Sequence, residues 1–157
     1  MSNDRLEIKA SLMVSMPGHE VFEAIVNPSK MSNYFISNGS GRMEEGKTII
    51  WQFPEMDMEF PVHIKKINAD KYISYTWNDF RDGAETLVEF TLTPKTNATF
   101  VTVTEKSRNN DEAGIAWLKS NTEGWANFLA CLKAYLEYGI NLRKGAFDPS
   151  QMPDKEI

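Results

Sequence analysis

Residues 122–139 read TEGWANFLACLKAYLEYG. Trp125, Phe128, Leu129, Leu132, Tyr135 and Leu136 recur at three- and four-residue intervals, which places them on one face of a helix. That face is wide and aromatic, so another layer must cover it. Ser120 and Glu123 fit the Ser-x-x-Glu capping box, and Gly139 can take the left-handed conformation that ends a helix. Together they predict a helix over 121–138, roughly 27 Å long at 1.5 Å per residue. The stretch 110–119 reads as a separate helical turn leading into it. Cys131, the single cysteine of the chain, falls inside this helix and reads as a small packing residue that has no partner for an intrachain disulfide.

The covering layer is written upstream. From residue 39 to 107 the apolar pattern changes to period two, and each reversal carries turn chemistry: EEGK near 46, NADK near 70, RDGA near 83 and PKTNA near 97. This spacing predicts an antiparallel meander with strands over 47–53, 58–68, 71–78, 84–93 and 98–107, and a shorter one near 39–43. Each strand has one strongly apolar set: Ile49, Trp51 and Phe53; Phe60, Val62 and Ile64; Ile73, Tyr75 and Trp77; Val88, Phe90 and Leu92; Val101 and Val103. The opposite set, with Gln52, Lys65, Ser74, Glu89 and Thr102, is polar and expected to face solvent. A sheet with one wet face needs cover on the other, and the helix over 121–138 is the only long element able to supply it.

Ahead of the meander, RLEIKASLMV at 5–14 puts Leu6, Ile8, Ala10 and Leu12 on one side of a strand. Pro17 then opens a short helix carrying Val21, Phe22, Ile25 and Val26. Asn27-Pro28 ends it and starts a second, with Met31, Tyr34 and Phe35.

The chain has 157 residues, 41% hydrophobic and 25% charged, which suits a single domain over 1–157. Its last segment, 140–157, is rich in proline and charge and reads as a loosely held tail. A net charge of -5 argues against a general affinity for nucleic acid or anionic membrane. No apolar run approaches the ~20 residues of a membrane span, and MSNDRLEIKA lacks the apolar core of a secretory signal, so a cytoplasmic protein without a membrane span is expected.

Three stretches resemble a known family. PGHEVFEAIVNPSKMSNYF at 17–35 is similar to the opening motif of the family named after the activator of heat-shock protein 90 ATPase. FVTVTEKS at 100–107 and EGWANFLACLKAYLE at 123–137 are similar to that family's last strand and final helix. The resemblance spans nearly the whole chain. It implies the α+β helix-grip fold of START-like and birch-pollen-allergen-like proteins: a curved antiparallel sheet wrapped around a long C-terminal helix, with two short helices after the first strand. It also implies a cavity between helix and sheet rather than a fixed catalytic set. Tyr34 stands where the family commonly has tryptophan.

Chemistry-bearing motifs are sparse. His19 and His63 have no Cys, His or carboxylate cluster at ligand spacing, so neither a metal nor a cofactor is expected. There is no nucleophile elbow, P-loop or H-E-x-x-H, and GSGRMEEG near 39–46 reads as a hairpin region. Glu105 stands out. Counting by twos from Val101 and Val103 puts its carboxylate on the apolar side, where it has either left the strand for solvent or faces a cavity.

Large aromatics at inward positions are ordinary core, yet several with polar tips on facing walls also suit a planar or acyl ligand. The leading expectation is therefore a protein that binds an apolar or aromatic small molecule between helix and sheet. Its pocket would be lined by Trp51, Tyr75, Trp77, Phe90, Glu105, Trp125, Phe128 and Leu132. The alternatives are an interaction module with a chaperone partner, as the resemblance implies, and a cyclase- or hydrolase-type enzyme with Glu105 as general acid or base.

Overall fold

The computed structural model describes residues 5–148 and 150. The order is β1 (Arg5–Val14), α1 (Gly18–Val26), α2 (Pro28–Met31), β2 (Asn38–Gly39), β3 (Thr48–Phe53), β4 (Met56–Asn68), β5 (Tyr72–Asn78), β6 (Glu85–Lys95), β7 (Ala98–Asn109) and α3 (Glu112–Tyr138). The strands form one antiparallel sheet in the order β1-β7-β6-β5-β4-β3-β2. The curved sheet, the long C-terminal helix and the short helices after the first strand are the helix-grip arrangement.

Four reversals expected from turn chemistry are present, and each holds one residue in the left-handed region: Gly46, Asp70, Gly83 and Asn97. Glycine, asparagine and aspartate tolerate that backbone best, which is why the meander turns where those residues stand. The apolar sets share one face, with Ile8, Ile49, Trp51, Ile64, Ile73, Tyr75, Val88, Phe90, Val101 and Val103 all buried. Ser74 departs from its polar, outward expectation. It is buried, because the register shift in β4 between Ile64 and Lys66 turns the Lys66 N–H onto the Ser74 hydroxyl at 3.2 Å.

The grip helix differs from its expected bounds. It begins at Glu112 and runs 27 residues without interruption. Asp111 is the cap, its side chain accepting from the Gly114 N–H at 2.8 Å. The Ser120–Glu123 box lies inside the helix. Its residues have other partners: Thr122 donates to the Leu118 carbonyl at 2.5 Å, and Asn121 turns toward the sheet. The far end is as expected, with Gly139 at φ 66° and its N–H on the Tyr135 carbonyl at 3.0 Å.

Beyond α3 the described part of the last segment, 140–148, is mostly exposed and has one anchoring side chain. Arg143 pairs with Glu55 in the turn before β4 and lies over the Phe35, Phe53 and Phe147 rings. The remainder of that segment, 149 and 151–157, lies outside the described residues. Among the described residues no helix is long and apolar enough to cross a membrane.

Candidate functional site: a buried carboxylate in an aromatic layer

β7 carries Glu105 into the interior. Its register neighbours are Ile8 on β1 and Val88 on β6, and the row continues to Tyr75 on β5 and Ile64 on β4. Period two therefore holds through this point and forces a carboxylate into an apolar row, where Glu105 is 1% exposed. The solvent-exposed alternative is excluded.

A buried carboxylate is tolerable only when its lone pairs are taken. Oε2 accepts from the Thr86 hydroxyl at 2.6 Å, Trp77 Nε1 at 3.1 Å and Trp117 Nε1 at 3.4 Å. Oε1 accepts from Trp125 Nε1 at 2.8 Å and Asn121 Nδ2 at 3.1 Å. Trp77 and Thr86 are opposite each other on β5 and β6, while Trp117, Asn121 and Trp125 are spaced by four and share one stripe of α3. An indole N–H can only donate, so the cage is complementary to a carboxylate anion. It ties helix to sheet through one residue.

The cage continues outward. Asn121 Oδ1 accepts from Arg81 at 3.2 Å, Arg81 pairs with Asp79 at 2.8 Å, and Arg108 bridges Asp79 and Asp82 while lying 5.8 Å from the centre of the Trp117 ring. A concavity of about 220 Å³ lies on this outer side, between Asp79, Arg81, Asp82 and Arg108 and the first turns of α3.

Inward from Glu105 the layer is aromatic. Trp77 and Tyr75 are 5.4 Å apart between ring centres, Tyr75 and Trp51 5.5 Å, Phe90 and Trp125 5.7 Å, and Trp125 and Phe128 5.4 Å. These are edge-on contacts at packing distance. Seven of the eight expected lining residues are thus linked in one layer, with Trp77 half-buried, and Leu132 is fully buried one helical turn beyond Phe128. Trp117, Asn121 and Thr86, which share the carboxylate, were absent from that set.

Two hydroxyls in this layer differ in kind. Tyr34 donates to the Ala24 carbonyl at 2.7 Å. The Tyr75 hydroxyl is buried and has no partner among the described residues. Burial above all, then the nearby Glu105 carboxylate and Tyr34, pushes the Tyr75 phenol well above its ordinary value, so it stays protonated. Burial likewise raises the Cys131 thiol, which leaves it an inert packing group.

Beside the layer opens a second concavity of about 400 Å³. Tyr34 and Phe35 form one wall, Pro54 and Glu55 another, and Arg143, Lys144 and Phe147 a third. Phe35 joins it to the core: its ring contacts Phe128 at 4.8 Å and Trp51 at 5.7 Å. Among the described residues no cluster of three or more metal-capable side chains is found.

Comparison with known proteins fits this architecture. SSP2350 from Staphylococcus saprophyticus is 33% identical, with 88% of this chain and 96% of that one covered, at a TM-score of 0.77. DynU16, encoded in the dynemicin biosynthetic locus, superposes with a TM-score of 0.77 at 24% identity over 88% of this chain and 49% of that longer one. The Aha1 dimer from Colwellia psychrerythraea gives 0.74 at 20% identity, over 85% of this chain and 98% of that one. The last two likenesses carry the fold alone. No curated protein matches the chain in sequence. Residues 15–137 match the family model described as activator of Hsp90 ATPase homolog 1-like protein, and the chain belongs to that family.

Proposed function

We propose that this is a cytoplasmic protein that binds an apolar or aromatic small molecule between α3 and the sheet. Trp51, Tyr75, Trp77, Phe90, Trp125, Phe128 and Leu132 form the apolar surround, and Glu105 sets the position of the tryptophans. The observation that carries this reading is the Tyr75 hydroxyl, buried in the aromatic layer with no partner among the described residues. A buried unpaired hydroxyl is unfavourable, and a ligand oxygen or nitrogen would relieve it. Because the surrounding rings are in contact, the route inward is the concavity beside Phe35, whose ring separates it from Trp51 and Phe128.

Glu105 supports binding better than acid-base catalysis, since both its oxygens are occupied by protein donors and neither is free for a substrate proton. Native mass spectrometry of the purified chain, combined with a thermal-shift screen of medium-chain fatty acids and flat aromatics, tests the reading. A ligand selective for the folded state raises the melting temperature. A chain without a co-purified mass, whose melting point none of these compounds moves, would be a filled core.

Membership of the family also supports a second reading, an interaction with a chaperone ATPase. Addition of this protein at high molar excess would then raise the chaperone's ATPase rate, and a flat response removes that reading.

A further inference from the structure

The segment that follows α3 is fastened to the sheet by one side chain. Only Arg143 and Phe147 of residues 140–148 are half-buried, and the Phe147 ring packs on the Arg143 guanidinium. Among the described residues no backbone hydrogen bond joins 141–148 to the sheet or to the short helices. The backbone bonds stay inside the segment, from Lys144 N–H to Asn141 and from Ala146 N–H to the Arg143 carbonyl. It is thus a pair of local turns able to move as one piece. It leaves the helix at Gly139, at φ 66° with no atom within 4 Å of where a Cβ would stand.

The fastening is incomplete. Arg143 donates one terminal amino group to Glu55, and its guanidinium lies 5.4 Å from the Phe35 ring centre and 5.6 Å from Phe53. Both members of the ion pair are largely withdrawn from water, at 15% and 17% exposure, yet the Arg143 Nε–H is buried with no acceptor among the described residues. Lifting the side chain out returns that donor to water, which offsets part of the ion pair lost. The closed arrangement therefore carries a penalty that opening removes. Arg143 also covers Phe35, the ring that separates the 400 Å³ concavity from Trp51 and Phe128. While the guanidinium rests there, that ring is held in place.

Resting on the ligand-binding reading above, we infer that 140–148 is a strap hinged at Gly139 and latched by Arg143 on Glu55, whose release frees Phe35 and admits the ligand from the concavity. The strap lies on the outer side of Phe35, so it governs passage rather than the bound state. Loosening the latch therefore speeds entry and exit together and leaves affinity nearly unchanged. The chain carries its own reporter of opening. Cys131, its only cysteine, is buried: burial raises the thiol, and Arg143 is close enough for its charge to pull the other way.

Labelling of Cys131 by dithiobis(nitrobenzoate) in the folded full chain, on the parent and on Glu55→Gln and Arg143→Gln, tests the latch. Both substitutions remove the ion pair but change the charge near the thiol in opposite directions, since loss of Glu55 favours the thiolate and loss of Arg143 disfavours it. Release of the strap should make labelling at least about fivefold faster in both. Glu44→Gln, which breaks the exposed Glu44–Lys47 pair instead, should leave the rate unchanged. Low urea should hardly alter these rates, because a strap opening exposes little surface, whereas labelling through global unfolding rises steeply. Acceleration in only one variant or in neither, or a steep urea dependence, overturns the strap. Stopped-flow fluorescence with N-phenyl-1-naphthylamine, a neutral aromatic probe, tests the passage: association and dissociation should quicken together in both variants, with Kd within about twofold of the parent's. A probe that binds at unchanged rates to variants whose cysteine labels faster overturns the gating role and leaves the binding reading standing. A probe that binds neither parent nor variants counts against the binding reading, and labelling alone then decides the strap.

Discussion

Trp117 and Trp125 lie on one stripe of α3 and reach different oxygens of the same carboxylate, Glu105 Oε2 at 3.4 Å and Oε1 at 2.8 Å. The grip helix is thus pinned to β7 at a single acidic residue by groups that can only donate. Glu105→Gln puts an amide nitrogen in place of one oxygen, and whichever way it turns, that nitrogen meets at least two donors. The variant should lose about 1–3 kcal/mol for each donor it strands. The measurement is the urea midpoint at unchanged slope, and a variant as stable as the parent would remove the clamp role.

Acid should loosen the outer end of this network through Asp79. Its side chain is 4% exposed. Burial pushes its carboxyl up, but the Arg81 side-chain and backbone bonds, with the Arg81 and Arg108 charges, outweigh burial and hold it below the ordinary 3.8. The folded value is the lower one, so between the two values the unfolded chain binds more protons and stability rises with pH. The contribution is complete above 3.8 and is lost as pH falls through the folded value. Asp79→Asn should therefore flatten stability against pH below about pH 4, measured as urea midpoints down the acid range. An equally steep dependence in the variant would place the acid sensitivity elsewhere.

Two glycines of α3 should respond oppositely to the same change. A Cβ on Gly114 would lie 1.9 Å from the Asn109 carbonyl oxygen and 3.2 Å from the capping oxygen of Asp111, so the entry into the helix must shift. Gly114→Ala should cost about 1–3 kcal/mol, against alanine's better helix propensity. A Cβ on Gly124 meets nothing within 4 Å. Gly124→Ala should gain about 0.5–1 kcal/mol from propensity alone. Thermal unfolding of the pair checks both signs, and a destabilised Gly124→Ala would mean that its face of the helix is not open.

The sheet was legible because its physics is local. Period two put Trp51, Tyr75, Phe90 and Val103 on one face, and four turns announced themselves through Gly46, Asp70, Gly83 and Asn97. The start of α3 was hidden because Ser120 and Glu123 make a good local cap. What defeats that cap is tertiary, since Asn121 is spent on Glu105 and Arg81. A signal was nevertheless present in the spacing Trp117-x3-Asn121-x3-Trp125, which needs an unbroken helix to align. Arg143 offered no such signal, because its partners Glu55, Phe35 and Phe53 are distant in sequence. Alternation placed Glu105 inward, but it could not name donors that arrive from three other elements.

Leu132 and Tyr75 are both fully buried, and substituting each separates packing from polar satisfaction. Leu132 is 0% exposed in the C-terminal half of the grip helix, and Leu132→Ala should cost about 2–5 kcal/mol through lost contact and the cavity left behind. Tyr75→Phe deletes a hydroxyl that has no partner among the described residues. Nothing is stranded by its removal, and the desolvation it suffers on folding disappears. The variant should thus match the parent or exceed it by about 1 kcal/mol. Urea unfolding of both gives the stability comparison, and titration of Tyr75→Phe with any compound that shifts the parent's melting point gives the functional one. If the hydroxyl meets a ligand, Tyr75→Phe keeps its stability and loses affinity. A loss of more than about 1 kcal/mol would show that the hydroxyl has a protein partner after all, and the observation supporting ligand binding at this position would fall with it.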